Sequence, residues 1–231
     1  NFTHGLTGTS DAPAMWLDVP SSAGPARRYG TSWTRQAEAD RITAQLREWI
    51  ETPEGSTLTY GVISFYKAQA DQIRQQLRRE LGPVADDDRR VRVGTVDSFQ
   101  GMEFDVVFLS VVRSIRPDWV QRGTDEVAAR GLFGHLGLYN RLNVAMSRQK
   151  RLLVAVGDAG LVQHPLAAQY IPGLVDFYRL SGGNAPTAET HVAEEASAPR
   201  SATPPLSSVA PPKDDLRPSG FISRLFGRRR G

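Results

Sequence analysis

Four basic side chains lie in one short segment, where a helix is expected to be followed by a buried strand. The segment RLNVAMSRQKRLLVAVGD (141–158) contains Arg141, Arg148, Lys150 and Arg151, and the apolar run LLVAV ends it. Arg141 and Arg148 are two helical turns apart, so both side chains project from one face. Guanidinium groups are always charged and bind phosphate oxygens in a planar fork. The spacing predicts an anion-binding face; the alternative is a solvated basic face near a helix C-terminus, which suits Lys150 and Arg151.

Polar residues also fill the connection between two expected strands in VGTVDSFQGMEFDVV (93–107). They are Thr95, Asp97, Ser98, Gln100, Gly101 and Glu103. Small hydroxyls beside a glycine suit a phosphodiester backbone, because Gly101 has no side chain to prevent close approach. Glu103 is expected to meet a donor, such as a ribose hydroxyl or a cation. The alternative is a polar turn that joins the two strands.

A third candidate follows the apolar run GVIS, where Tyr66 precedes Gln69 by about one helical turn. Tyr66 is either a stacking platform for a base or nucleotide ring, or a buried aromatic residue at a strand end. In the second case Gln69 is a solvated side chain.

These residues have to be positioned by alternating strands and helices. Strands are expected at 15–19, 58–66, 91–96, 105–112 and 152–157. Helices are expected at 34–50, after a Ser/Thr-type cap, at 67–81 and at 138–147. Two short helical pieces are expected in 164–180, divided at Pro172-Gly173, and a polar loop is expected at 113–137. The alternation predicts an α/β fold, with a mostly parallel sheet and helices on both faces. Each candidate segment lies beside a strand end, and ligands of such sheets bind at the carboxyl edge.

Composition excludes several kinds of chemistry. The chain has 231 residues, a formal net charge of +3 and no cysteine, which excludes disulfides, thiolate catalysis and cysteine-based zinc sites. A reducing, cytoplasmic location fits best. The four histidines have no metal-ligand spacing, so no metal site is expected. No apolar run reaches the roughly 20 residues of a membrane span.

The chain divides by composition into three parts. Residues 1–30 form an opening loop and strand, 31–180 the folded domain, and 181–231 a Pro/Ala/Ser-rich tail that is expected to be disordered. The start at Asn1, without an initiating methionine, indicates a piece of a longer protein. The tail end GFISRLFGRRRG (220–231) is basic and amphipathic. It is interpreted as a non-specific nucleic-acid contact, as a docking peptide for a protein partner, or as a short segment that lies on anionic membrane.

The order and spacing of these segments resemble one known family. TVDSFQGMEFDVVFLSVVRS and RLNVAMSRQKRLLVAVGD resemble motifs V and VI of superfamily 1 class B helicases, the branch of the eukaryotic nonsense-decay helicase and the Okazaki-fragment nuclease-helicase. GVISFYKAQ is similar to motif IV, and SWTRQAEAD to the segment before it. The chain departs from the family at Arg35, at Phe65 and at 134–140, and it lacks Walker A and Walker B motifs. The resemblance covers about 30–180 and implies a second RecA-like domain only.

The resemblance also implies roles for the candidate residues. Arg148 would be the arginine finger for ATP, with Arg141 as a second phosphate contact. Gln100, Gly101 and Glu103 would couple nucleotide to nucleic acid, Thr95, Asp97 and Ser98 would lie along a single strand, and Tyr66 and Gln69 would lie near the nucleotide base. ATP with Mg²⁺ would be bound mainly by the first RecA-like domain of the same protein, which is also a partner.

Three classes of function follow from these observations. The first is the second motor domain of an ATP-dependent helicase or translocase on single-stranded DNA or RNA, inactive by itself. The second is a module that has lost motor activity but kept the fold for binding nucleic acid or for regulation. The third, a small-ligand domain, leaves the basic helix face unexplained.

Overall fold

The computed structural model describes residues 3–116 and 118–183, which contain seven strands and seven α-helices. The strands are β1 (Ala14–Asp18), β2 (Arg27–Tyr29), β3 (Ser32–Thr34), β4 (Tyr60–Ser64), β5 (Val91–Thr95), β6 (Phe104–Ser110) and β7 (Gln149–Gly157). The helices are α1 (Gln36–Ile50), α2 (Lys67–Leu81), α3 (Asp125–Phe133), α4 (Tyr139–Met146), α5 (Ala159–Gln163), α6 (Ala167–Tyr170) and α7 (Pro172–Leu180). Five strands form one parallel sheet in the order β1-β7-β6-β4-β5. The predicted RecA-like α/β fold is confirmed.

The sheet is covered by helices on both faces, which explains why its central strands are apolar throughout. Every residue of β4 is buried, and so are six of the seven residues of β6. Alternate side chains of these strands belong to two separate hydrophobic cores: one packs against α1 and α2, and the other against α3, α4, α5 and α7. A strand enclosed in this way cannot place polar side chains along its length, so polar groups collect at its ends.

The connection from β5 to β6 positions most of the candidate residues. β5 and β6 both pair with β4, and Ser64 of β4 lies level with Thr95 and with Ser110. The chain therefore leaves β5 at the carboxyl edge of the sheet, and must reach the amino edge before β6 begins. It does so through a 3₁₀ turn, Val96–Phe99, whose Phe99 side chain lies against the backbone of Gly61. A side chain at Gly61 would collide with this ring.

Several local expectations were wrong. The segment 113–137 is not only a loop, because it contains α3. The first turn of this helix is charged, and its apolar face is short; that face consists of Ala128, Ala129, Leu132 and Phe133. Helix α1 has no Ser/Thr cap; it begins after Arg35 without a side-chain capping bond. The hairpin of β2 and β3 was not expected, because three-residue strands are too short to show alternation.

Two further observations concern the limits of the described chain. No helix among residues 3–116 and 118–183 is long and apolar enough to cross a membrane. The predicted tail (181–231) lies outside the described residues apart from its first three positions. The expected protein partner of the segment 220–231 therefore stays a prediction.

Candidate functional site

The candidate residues lie at two opposite edges of the sheet, and not at one carboxyl edge as the sequence led us to expect. Tyr66 follows the carboxyl end of β4 and Thr95 is the last residue of β5, whereas Glu103 and Arg148 immediately precede β6 and β7. The amino edge is closed by a bond from the Phe104 N–H to the Arg148 carbonyl, at 2.9 Å. Because the β5–β6 connection crosses the sheet, one segment links both edges.

The residues Gln100 and Gly101 form the corner of a type II β-turn. Gln100 has φ −60° and ψ 126°, Gly101 has φ +77°, and the Met102 N–H donates to the Phe99 carbonyl at 3.0 Å. This turn type requires a positive φ at its third residue, which glycine adopts without strain. The turn leaves Gln100 and Glu103 exposed, and Glu103 has no hydrogen-bond or ion-pair partner within the described chain.

Asp97 and Arg141 are brought together from the two candidate segments. The Nη2 atom of Arg141, in α4, lies 2.5 Å from the Oδ2 atom of Asp97, in the 3₁₀ turn. The Arg141 side chain is 30% exposed and that of Asp97 is 73% exposed. The Nε atom of Arg141 is buried and has no hydrogen-bond partner within the described residues. Arg141 therefore keeps an unused donor beside the pair.

Arg148 is held by its own helix end and not by an acid. Its Nε donates to the Val144 carbonyl at 3.0 Å, and its Nη2 donates to the Ser147 hydroxyl at 2.9 Å. Its Nη1 lies 3.5 Å from the Met102 carbonyl, beside Glu103. No carboxylate pairs with Arg148 in residues 3–116 and 118–183, so its positive charge remains uncompensated there. An anion with several acceptor oxygens fits such a group.

Thr95 and Ser98 are presented at the carboxyl edge. The Ser98 hydroxyl donates to the Thr95 carbonyl at 2.7 Å, which fixes its position while its oxygen can still accept a bond. Gly94 permits this arrangement, because a side chain there would collide with the Ser98 hydroxyl. Ser98 is exposed and Thr95 is partly buried.

Tyr66 is buried and already stacked. Its ring lies parallel to that of His135, with 4.9 Å between the ring centroids and an 8° angle between the planes. The His135 N–H donates to the Tyr66 hydroxyl at 3.3 Å, and burial raises the pKa of that hydroxyl. Gly134 (φ +52°) lies so close that a side chain there would collide with the hydroxyl. The ring is 4% exposed, so in this structure it presents no open platform.

Gln69 belongs to a fully buried polar network, and the alternative of a solvated glutamine is wrong. Its Oε1 accepts from the Arg35 N–H at 2.7 Å, and its Nε2 donates to the Arg35 carbonyl and the Ser110 hydroxyl, both at 3.1 Å. In turn Ser110 donates to Glu38 at 2.7 Å, and Glu38 forms an ion pair with Arg35 at 3.1 Å. The network thus joins the starts of α1 and α2 to the end of β6.

Glu38 supports an unusual backbone conformation. Both of its carboxylate oxygens accept from the Val112 N–H, at 3.0 and 2.8 Å, and Val112 has φ +67°. Such a φ is strained for a β-branched residue and persists only where the surroundings impose it. Burial raises the pKa of Glu38 to about 7, although Arg35, Ser110 and Val112 all favour its ionised form.

The sequence analysis did not identify this network as a unit. One signal was available, since Arg35 and Glu38 have opposite charges three positions apart at the start of an amphipathic helix. Ser110 gave no signal, because one serine at the end of an apolar strand is common. No group of three metal-ligating side chains occurs among the residues that the structure describes.

Comparison with known proteins identifies the family. A family model described as an AAA domain matches residues 4–160, which is more than half of the chain. The match includes β1 through β7 and all the candidate residues named above.

Individual relatives are named as helicases, one as a DNA helicase and one as an RNA helicase. DNA polymerase alpha-associated DNA helicase A of Saccharomyces cerevisiae is 39% identical over 162 residues, which are 65% of this chain and 20% of that protein. RNA helicase Mov10l1 of Homo sapiens is 33% identical over 129 residues, which are 55% of this chain and 10% of that protein. An uncharacterized ATP-dependent helicase of Caenorhabditis elegans is 29% identical over 147 residues, which are 63% of this chain and 8% of that protein. The chain thus spans a fifth or less of these relatives.

Proposed function

This chain belongs to the AAA domain family and is the C-terminal, second RecA-like domain of a superfamily 1 helicase, and from that premise we propose that it supplies the arginine finger and part of the single-strand surface of an ATP-dependent motor. The observation that carries the proposal is the amino edge of the sheet. There the uncompensated Arg148 lies beside the turn that presents Gln100 and Glu103.

The amino edge has the donors that a triphosphate needs. Arg148 has no acidic partner within the described chain. The Nε of Arg141 is buried and has no acceptor among the described residues, so Arg141 would have to reorient before this donor could reach a phosphate. ATP with Mg²⁺, bound mainly by the first RecA-like domain, supplies the phosphoryl group that is transferred to water. Arg148 would stabilise the negative charge that develops on that group, and Asp97 would orient Arg141 as a second contact. Glu103 and Gln100 would face the ribose or the bound strand.

The carboxyl edge has groups suited to a nucleic-acid backbone. The Ser98 hydroxyl is exposed and donates to the Thr95 carbonyl, so it would rotate away from that carbonyl to donate to a phosphate oxygen. Such contacts do not distinguish DNA from RNA. Tyr66 remains a proposed contact of the nucleotide base, and it would require His135 to move from the ring. Gln69 would act indirectly, since the network around Arg35 occupies its amide.

The strand surface is tested by replacing Thr95 and Ser98 together with alanine in the full-length protein. Hydroxyl contacts are worth about 1 kcal/mol each, so we expect weaker binding of a labelled oligonucleotide and loss of most strand-stimulated ATPase activity. The matched control is Ser56→Ala with Thr57→Ala, two exposed hydroxyls that likewise donate to carbonyls three residues earlier. Unchanged stimulation in the Thr95, Ser98 variant would favour the alternative of a polar turn that does not contact the strand.

A further inference from the structure

The hairpin of β2 and β3 is an exposed basic element near the carboxyl edge of the sheet. Its strands pair antiparallel with Arg27 opposite Thr34, Arg28 opposite Trp33 and Tyr29 opposite Ser32. Gly30 (φ +58°) and Thr31 form the two-residue turn. Arg27, Arg28 and Tyr29 are all exposed, and Tyr29 keeps 73% of its surface in solvent. A large exposed aromatic ring beside two arginines needs an explanation.

One face of the hairpin is fixed to the domain. Trp33 packs against the hydrophobic core, and the Arg113 guanidinium lies 4.2 Å from its ring centroid. On the other face, which Ser32 shares with its partner Tyr29, the Ser32 hydroxyl accepts from the Ala68 N–H at the start of α2, at 3.3 Å. Side chains alternate along a strand, so Arg28 shares the face of Trp33, whereas Arg27 and Tyr29 lie on the opposite face.

The opposite face borders a groove, which we call the hairpin groove. It consists of two adjoining cavities of about 590 and 550 Å³ between the hairpin and the first turns of α1 and α2. Arg27 lines the first cavity, Tyr29 lines the second, and Thr34 and Gln72 line both. The amides of Gln36 and Gln75 add further donors and acceptors.

The hairpin groove is lined by two cations, Arg27 and Lys67, and by two acids, Asp40 and Asp71. Its acid Asp71 is bonded to Lys67 and lies 2.9 Å from Arg74, so two cations face one carboxylate. Its other acid, Asp40, accepts the side-chain amides of Gln36 and Gln76 at 2.7 and 2.8 Å. Arg27 has no ion pair with any described residue, and its side chain lines the first cavity of the groove.

We propose that the hairpin groove binds single-stranded nucleic acid, with Tyr29 stacked on a base and Arg27 on a phosphate. Tyr29 is an exposed aromatic ring beside the exposed cations Arg27 and Arg28, and proteins hold unpaired strands by combining aromatic rings with cationic side chains. The groove adjoins the start of α2, and β4, which leads into α2, pairs with β5 and ends level with Thr95. The proposal rests on the proposed function in one respect, that a single strand already contacts Thr95 and Ser98 at this edge.

The test compares three variants of the full-length protein by fluorescence anisotropy with a labelled oligothymidylate over a range of salt concentrations. Tyr29→Ala should weaken binding about tenfold, since stacking is worth ~1–3 kcal/mol per base. Arg27→Ala should weaken binding and lower the slope of log affinity against log salt by about 0.7 to 0.9. Arg28→Ala is the matched control, because it removes the same charge from the other face, and it should change affinity less than twofold.

Each outcome decides the proposal. Equal losses for Arg27→Ala and Arg28→Ala, with none for Tyr29→Ala, would mean that only diffuse charge acts and would overturn it. Wild-type affinity in both Tyr29→Ala and Arg27→Ala would overturn the hairpin groove and leave the proposed function intact. Failure of the wild-type protein to bind the strand would overturn both. A midpoint of thermal unfolding equal to that of the wild-type protein would confirm, for each variant, that a loss of affinity does not come from a loss of folding.

Discussion

Arg141 and Asp97 form an ion pair of 2.5 Å between two segments that are 44 residues apart in the sequence. Arg141 belongs to α4, which ends two residues before the proposed arginine finger Arg148. Asp97 lies between Thr95 and Ser98, whose hydroxyls are the proposed strand contacts. The pair is therefore a direct link between the proposed nucleotide and nucleic-acid contacts.

This link predicts non-additive effects of substitution on coupling. In the full-length protein, Arg141→Ala and Asp97→Ala should each reduce the stimulation of ATPase by single strands. The double variant should lose no more stimulation than the single variant that loses more. Because Asp97 is largely exposed, each change should lower the free energy of unfolding by less than about 1 kcal/mol. Stimulated ATPase rates and urea unfolding provide the two measurements, and additive losses of stimulation would contradict the link.

Glu38 predicts an unusual pH dependence of stability. Burial raises the pKa of Glu38 to about 7 from 4.5, so the folded state holds a proton that the unfolded state has lost between these values. The contribution of Glu38 to the free energy of unfolding should thus be greatest below about pH 4.5, and should fall by about 3 kcal/mol as the pH rises to about 7.

The control for this prediction is Glu38→Gln, which resembles the protonated side chain and does not titrate. Denaturant unfolding of both proteins between pH 4.5 and pH 8 isolates the contribution of Glu38. The variant should gain stability relative to the wild-type protein as the pH rises through this window. A relative loss of stability would mean that Arg35 and Val112 hold the carboxylate ionised in the folded state.

The turn at Gly101 predicts opposite effects for two glycine substitutions. Gly101→Ala should lower the free energy of unfolding by about 1 kcal/mol, because an alanine at φ +77° is strained although no atom obstructs it. Gly131→Ala, inside α3 and equally unobstructed, should raise it by about 0.5–1 kcal/mol. Chemical denaturation checks both, and stabilisation by Gly101→Ala would argue against the type II turn.

Much of the fold could be predicted from the sequence, because its strongest signals are periodic. Helix α2 has the predicted bounds, 67–81, since its apolar positions recur regularly and Gly82-Pro83 ends it. The buried strands were recognisable as uninterrupted apolar runs. The short β2–β3 hairpin and α3 carry too few apolar residues for either period to be visible, and only tertiary contacts hold them in place.

The candidate site was predictable as a set of residues but not as a geometry. The segments 93–107 and 141–158 were singled out as candidates, and the structure brings Asp97 and Arg141 of these segments together. Nothing in the sequence shows that the β5–β6 connection crosses the sheet and separates Thr95 from Glu103. The burial of Gln69 was also hidden, because its partners Arg35, Glu38 and Ser110 are distant in sequence and meet only in the fold.

The sequence of this chain predicts that it does not bind ATP tightly without the first RecA-like domain. It contains no G-x-x-x-x-G-K-[ST] loop, so it lacks the backbone N–H groups with which such a loop binds phosphates. Titration calorimetry of the 231-residue chain with Mg²⁺ and ATP should detect no binding at micromolar concentrations. Micromolar affinity would mean that a complete nucleotide site lies within these residues.

The ATPase activity of an Arg148→Ala variant of the full-length protein tests the central claim most directly. The finger acts on the transition state, so its removal should lower kcat by about 10³–10⁵ and leave the binding of single strands nearly intact. Lys150→Ala, an exposed cation two residues away, is the control and should keep the wild-type rate. An Arg148→Ala rate within a few-fold of the wild type would contradict the assignment of Arg148 as the arginine finger.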